Sequence, residues 1–145
     1  MTIVKKLASA IAVLSLVACS TMSGMMDSMT GGSSVKAHLT GAEEVPPVST
    51  SAMGDAKFTV GKDGSVKGSV TTTGVQGTAA HIHQGAKGQN GGVIVPLTKS
   101  GDTYTAPEGA KLTEAQLSAF KAGNTYVNVH SAANKGGEIR AQLQP

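Results

Sequence analysis

Three features of the sequence predict an all-β domain, an antiparallel sandwich or barrel with one short helical connection. About seven short stretches alternate apolar and polar residues and are rich in Val and Thr, which is typical of strands. Turn residues separate these stretches at regular intervals, and the 145 residues include 19 glycines. Aromatic residues make up only 3% of the chain, so the core must be built mainly from Val, Ile, Leu and Ala.

The clearest pair of strands is a hairpin. Residues 56–60 and 66–70 both alternate, and a Gly-Lys-Asp-Gly turn joins them. Residues 35–39 form an earlier short strand. Pro46 and Pro47 place the segment after it at an edge or in a loop, because proline cannot donate to a central ladder. Further strands are predicted at residues 78–83, 93–97, 125–130 and 138–144.

One helix interrupts the strand pattern. Thr113 can cap its N-terminus and Gln116 completes a capping box, while Leu112 and Leu117 are spaced for a hydrophobic staple. Gly123 suits the left-handed position after the last turn. The apolar positions of the strands and the helix predict one core, made of Phe58, Val66, Val70, Ile82, Val93, Val95, Leu117, Phe120, Val127, Val129, Ile139 and Leu143.

The N-terminus is typical of an exported lipoprotein. Lys5 and Lys6 precede an apolar run over residues 7–18, which is too short for a permanent membrane span. The run ends in Leu-Val-Ala before Cys19, the pattern of a bacterial lipobox in which the cysteine is lipidated. The alternative is an ordinary signal peptide with an incidental cysteine. Cys19 is the only cysteine of the chain, which excludes an intrachain disulfide framework.

These signals divide the chain into three parts. Residues 1–18 are predicted to be a signal peptide, residues 19–34 a lipidated Met-, Gly- and Ser-rich tether, and residues 35–145 the folded domain. Lipid anchoring at Cys19 places the protein at the membrane of the cell envelope. Ser20, in place of Asp, favours the outer membrane, facing the periplasm or the cell surface.

The tether contains four methionines at helical spacing, Met22, Met25, Met26 and Met29. Thioethers are soft ligands that suit Cu(I), so these side chains are candidate accessory ligands for a soft metal. The alternative is a flexible tether whose methionines contact lipid or a neighbouring envelope protein.

Charge and motif content exclude several functions. The net charge of +3 falls to +1 without Lys5 and Lys6, which argues against nucleic-acid binding. The sequence has no Gly-x-Ser-x-Gly elbow and suggests no nucleophile, base and acid set, so no catalytic residues are predicted.

The four histidines are the candidate metal ligands. His81 and His83 are two residues apart on a predicted strand, so both face one side while Ile82 faces the other. On a later strand, His130 lies on the face opposite Val127 and Val129. If the aliphatic faces point inward, these three imidazoles lie outward, as a surface cluster. Imidazole suits copper, zinc, iron or nickel, and His38 or water is a candidate fourth ligand. The alternative is three unrelated surface histidines.

Four blocks of the sequence resemble the CHRD domain, which is named after repeats in chordin and occurs in many bacterial exported proteins. The resemblance covers residues 35–144 and implies an all-β, immunoglobulin-like sandwich, but no particular activity for bacterial members. Position 141 carries Ala where the pattern leads us to expect Gly. The matching blocks are residues 39–47, residues 79–83 with the Gly-rich stretch 85–92, residues 126–130 and residues 136–140.

A looser resemblance is to the copper half of copper–zinc superoxide dismutase. That half has a His-x-His strand, a Gly-rich loop and a later strand ending in His, so the resemblance implies copper ligation by His81, His83 and His130. The chain departs from that family in having no cysteine pair and no His or Asp in the loop for a zinc site. An arginine to guide an anion is also needed, and the sequence does not show where Arg140, the single arginine of the chain, lies relative to the histidines.

Three hypotheses follow. The protein is an envelope-anchored module that binds copper or another transition metal through its histidine cluster. Alternatively, it is a non-catalytic structural or adhesive domain that contacts an envelope protein partner. The third hypothesis is a redox enzyme of the superoxide dismutase type.

Overall fold

The computed structural model describes residues 31–145 and contains nine strands and one α-helix within that range. A 3-10 turn at Gly41–Glu43 follows the first strand, and helix α1 spans Glu114–Lys121. The strands are β1 (Ser33–Thr40), β2 (Met53–Val60), β3 (Val66–Thr73), β4 (Gly77–Gln84), β5 (Val93–Pro96), β6 (Thr98–Ser100), β7 (Thr103–Thr105), β8 (Thr125–Ser131) and β9 (Ile139–Leu143).

All strand pairs are antiparallel, and they form one sheet in the order β5-β4-β8-β9-β1-β2-β3-β7-β6. Strands β5 and β6 lie at opposite ends of this order but are separated by a single residue, Leu97. The backbone N–H of Leu97 donates to the carbonyl of Ala80 on β4 at 3.0 Å. The two ends of the sheet therefore meet in a nearly closed barrel, and the predicted all-β class with one helix is confirmed.

The core fills the interior of this barrel. Phe58, Val70, Val127, Val129 and Ile139 are fully buried. Ten of the twelve predicted core positions are buried, and Leu117 is partly buried against the same cluster. The alternation read from the sequence therefore identifies the inward face of most strands.

Val93 is the exception, because the prediction that it lies in the core is wrong. Its side chain is 51% exposed, whereas its neighbour Ile94 packs against the core. The register of β4 and β5 explains why Ile94 and not Val93 packs against the core. Ile82 pairs with Val95 but His83 pairs with Val93, so β5 holds one extra residue, Ile94. Such a bulge shifts the alternation by one position and turns the next side chain to the other face.

Helix α1 has the predicted caps. The hydroxyl of Thr113 accepts from the backbone N–H of Gln116 at 3.3 Å, and the Gln116 side chain accepts from the N–H of Thr113 at 2.9 Å. Gly123 has a φ of +74°, as the left-handed position after the helix requires. With eight residues, α1 is far shorter than a bilayer span, and no other helix among residues 31–145 qualifies as one.

Candidate metal centre

Three histidines meet on the outside of the barrel. Strand β4 carries His81 and His83, and its neighbour β8 carries His130. Because Ile82 and Val129 are turned into the core, the three imidazoles lie on the opposite side of the sheet. The Nδ1 atom of His81 lies 3.0 Å from the Nε2 atom of His130, and one ring nitrogen of each residue lies within 4.8 Å of the others.

Backbone carbonyls fix the proton positions of two of these rings. The Nδ1–H of His83 donates to the carbonyl of Gly91 at 3.0 Å, and the Nδ1–H of His130 donates to the carbonyl of Lys135 at 2.8 Å. A neutral imidazole that donates through Nδ1 has a lone pair on Nε2. His83 and His130 therefore both present Nε2 as a donor atom toward the cluster, the arrangement in which histidines ligate metals.

The spacing of the three nitrogens is close to what one ion requires. Nitrogens bound on opposite sides of a metal at about 2.0–2.1 Å lie about 4 Å apart. The widest separation in the cluster exceeds this by less than ~1 Å. A small side-chain adjustment is enough to bring all three nitrogens onto one ion.

The cluster belongs to a larger histidine face, formed by the outward side chains of β4, β8 and β9. On this face Tyr126 stacks parallel to His83, with ring centroids 4.7 Å apart and planes 3° apart. The guanidinium of Arg140 lies over the Tyr126 ring, 3.4 Å from its centroid. The members of the histidine face are His81, His83, Tyr126, Asn128, His130 and Arg140.

Loops cover much of this face, so the expectation of an exposed surface cluster is only partly met. Arg140 is 1% exposed and donates to the carbonyl of Gln89 at 2.8 Å and to Oδ1 of Asn90 at 3.1 Å. The Nδ2 group of Asn90 donates to the carbonyl of Val45, which joins the loop after β4 to the segment after β1. As a result His83 is 7% exposed, while the other two histidines are partly exposed.

Burial lowers the pKa values of two of the three histidines. For His81, burial is the main cause, and the neighbouring His130 and His83 act in the same direction. For His83, burial also dominates, although the Gly91 carbonyl acts to raise the pKa. Both rings are therefore neutral at neutral pH, which is the form that binds a metal ion.

Two buried polar residues lie behind the histidines. Glu44 is 4% exposed, and burial raises its pKa to about 7, although Arg140 acts to lower it. Asn128, on β8, is 2% exposed and pairs with His81 on β4 and with Arg140 on β9. Glu44 Oε1, Asn128 Oδ1 and His83 Nε2 are buried without a well-formed hydrogen bond within the described residues, although Asn128 lies close enough to Glu44 and His83 to act on the pKa of each.

The structure does not bring His38 to the cluster. His38 lies on β1, three strands from β4, which at about 4.8 Å per strand is about 14 Å away. Its Nδ1 is 2.9 Å from the carboxylate of Asp55 on β2. The expectation of His38 as a fourth ligand is therefore wrong, because the strand order separates it from the other three.

The lipidation prediction at Cys19 lies outside the described residues. So do the predicted signal peptide and the four methionines of the tether, Met22, Met25, Met26 and Met29. The folded part begins with β1 at Ser33, two residues before the predicted start of the domain.

Comparison with known proteins places the chain in a family. No curated protein and no solved structure matches the chain. Residues 35–143, three quarters of the chain, match the CHRD domain family. This range contains every strand of the barrel except the first two residues of β1, and it includes the whole histidine face. The chain therefore belongs to the CHRD domain family.

Proposed function

We propose that this CHRD-domain protein binds a copper ion through Nδ1 of His81, Nε2 of His83 and Nε2 of His130. One observation carries the proposal: three ring nitrogens converge, and backbone carbonyls hold the opposite nitrogens of His83 and His130 in the protonated form. Without an ion, Nδ1 of His81 and Nε2 of His130, which lie 3.0 Å apart, must share a hydrogen. With an ion, all three lone pairs are used.

The composition of the donor set favours copper. All three ligands are imidazoles, which suit copper, zinc, iron and nickel, and among divalent ions of this series Cu²⁺ binds most tightly. His81 and His130 are partly exposed, which leaves one side of the ion open for exchange. An open three-nitrogen site fits a binding or delivery role better than a structural one. Binding of another transition metal in preference to copper is the alternative form of the proposal.

We also propose that this site lies in the cell envelope. The basic residues, the apolar run and the lipobox before Cys19 support export and lipid anchoring. Replacement of Cys19 by Ser should release the protein from membranes or leave it unprocessed. Unchanged processing and membrane fractionation of that variant would contradict the anchor.

A structural or adhesive role is the competing function. The CHRD family is not known as an enzyme family. A barrel whose histidine face is largely covered by loops could still present a surface to an envelope protein partner. A superoxide dismutase-like activity ranks third. Arg140 is buried beneath the loop after β4 and bonded to it, so it is poorly available to guide an anion from solvent.

Copper titration separates the first two functions. The wild-type protein should bind one Cu²⁺, and the variants His81→Ala, His83→Ala and His130→Ala should each lose most of the affinity. His38→Ala is the matched control, because its imidazole is distant from the cluster. Two results would favour the structural or adhesive function instead. One is wild-type copper affinity in the variant that lacks all three histidines of the cluster, and the other is a loss of affinity in His38→Ala as large as in the three single variants. Superoxide consumption by the copper-loaded protein tests the third.

A further inference from the structure

We infer that the carboxamide oxygen of Asn128 is an additional, weak donor to the ion held by the three histidines. This inference rests on the proposed function and names a ligand that the His-x-His pattern does not contain. It follows from the position of Asn128 on the sheet, from the orientation of its amide group, and from the state of the nitrogen that it faces.

Asn128 occupies the middle of the cluster. It pairs directly with His81 across the sheet, and it precedes His130 by two residues on the same face of β8. His83 is its diagonal neighbour, because His83 pairs with Tyr126. Directly opposed side chains have Cβ atoms about 5 Å apart, and diagonal ones about 7 Å. Asn128 is thus next to all three ligands, at the buried side of the site.

The surroundings of the amide fix which end faces the histidines. Nδ2 of Asn128 donates to the carbonyl of Gly136 at 3.4 Å. A side-chain carbon on Gly137 would clash with both this Nδ2 and Oε1 of Glu44, so those two atoms lie on the same side of the amide. With acceptors on that side, the NH2 group must point there, and Oδ1 must point toward His83.

The nitrogen that Oδ1 faces has no hydrogen in the neutral ring. Because Nδ1–H of His83 donates to Gly91, Nε2 carries a lone pair, and neither Nε2 nor the nearby Oδ1 makes a well-formed hydrogen bond among the described residues. Two lone pairs that face each other in a buried site are unfavourable unless a positive or hydrogen-donating group lies between them. An ion held by the imidazoles supplies that group, and Oδ1 then becomes its donor.

An amide oxygen has a specific effect on copper. Imidazoles bind both oxidation states, whereas a carbonyl oxygen is a harder donor that suits Cu²⁺ better than Cu⁺. Asn128 should therefore contribute to Cu²⁺ affinity and little to Cu⁺ affinity. This difference distinguishes a donor from a residue that only supports the fold, whose loss would weaken the binding of both oxidation states.

The test compares Asn128→Ala with Asn124→Ala in the full chain. Asn124 is an exposed residue outside the histidine face, which makes it a matched control. We expect Asn128→Ala to weaken Cu²⁺ binding about ten- to hundredfold and to alter the paramagnetic resonance spectrum, with Cu⁺ affinity nearly unchanged. Asn124→Ala should match the wild type in Cu²⁺ affinity, in Cu⁺ affinity and in the resonance spectrum.

A measurement on the wild type does not depend on how the variant folds. Protein labelled with carbon-13 at the asparagine carboxamide should show a carbon-13 hyperfine coupling to bound Cu²⁺. Absence of this coupling, or equal Cu²⁺ affinity and spectrum for folded Asn128→Ala, overturns the role of Asn128 and leaves the histidine site standing. Failure of the wild type to bind copper overturns the proposed function, and this inference with it.

Discussion

The imidazole of His83 stacks face to face on the ring of Tyr126, with centroids 4.7 Å apart and planes 3° apart. The guanidinium of Arg140, which comes from β9 on the other side of β8, lies over the same phenol ring, 3.4 Å from its centroid. Both contacts are buried, so the cation–π attraction is not screened by water and contributes about 2 kcal/mol. The three layers hold His83 in one orientation before any ion binds.

This stack predicts different effects for two substitutions of Tyr126. Tyr126→Phe keeps the ring but loses the hydrogen bond that the hydroxyl accepts from the N–H of Gly91, so the free energy of unfolding should fall by about 1 kcal/mol. Tyr126→Leu also removes the ring that orients His83, and copper affinity should fall by about tenfold or more. Denaturant unfolding and copper titration measure the two effects. Wild-type copper affinity in Tyr126→Leu would show that the stack does not position His83.

The second prediction concerns two adjacent glycines in the loop after β4. A side-chain carbon at Gly91 would collide with the carbonyl of Gln84, whereas one at Gly92 meets no atom within 4 Å. Gly91→Ala must move the carbonyl that accepts from His83, so it should lower the free energy of unfolding by about 1–3 kcal/mol. It should also weaken copper binding about ten- to hundredfold.

Gly92→Ala is the matched control for that experiment and should stay within about 0.5 kcal/mol of the wild type. Both variants can be compared by thermal unfolding and copper titration. Equal behaviour of the two would mean that the backbone at Gly91 does not determine the site.

The grouping of the three histidines could be predicted from the sequence, but part of their surroundings could not. Alternation along one strand is enough to place His81 and His83 together, and alternation along β8 also puts Tyr126 and Asn128 on the face of His130. By contrast, Glu44 and Arg140 reach the site through strand order and loop packing, which no local pattern contains. His38 illustrates the same limit, because only the strand order shows that it is distant.

The bulge in β5 leads to the third prediction. Ile94→Ala removes a side chain that packs on the core and should lower the free energy of unfolding by about 2 kcal/mol or more. Val93→Ala removes an exposed side chain and should change it by less than about 0.5 kcal/mol. Denaturant unfolding of both variants compares them directly. A larger loss for Val93→Ala would mean that β5 alternates without a bulge.

The sequence alone favours the opposite outcome, because Val93 and Val95 fit a regular alternation with both side chains inward. The bulge is a property of the pairing register between β5 and β4 at one position, and the hydrophobic pattern of β5 alone does not determine that register.

The fourth prediction is the pH dependence of copper binding. A metal ion competes with protons for the same nitrogens, and free imidazole has a pKa of about 6.5. Because burial lowers the pKa values of His81 and His83, their neutral forms persist to lower pH. Copper affinity should thus be nearly constant above pH ~6.5 and should fall only below that value. Titrations at a series of pH values test this, and a loss that begins well above pH ~6.5 would contradict it.

The last prediction concerns Glu44, whose buried carboxyl has its pKa raised from 4.5 to about 7. The folded protein therefore binds this proton more tightly than the unfolded chain does. The contribution of Glu44 to stability is fully present below pH 4.5 and is lost as the pH rises through about 7. Glu44→Gln keeps a neutral side chain of the same shape at every pH. Relative to this variant, the wild type should lose on the order of 2 kcal/mol of unfolding free energy between these two pH values. Any separate effect of His81 or His83 is common to both proteins and cancels in the comparison. A constant difference between the two unfolding curves across the range would mean that Glu44 is ionised in the folded protein, paired with Arg140.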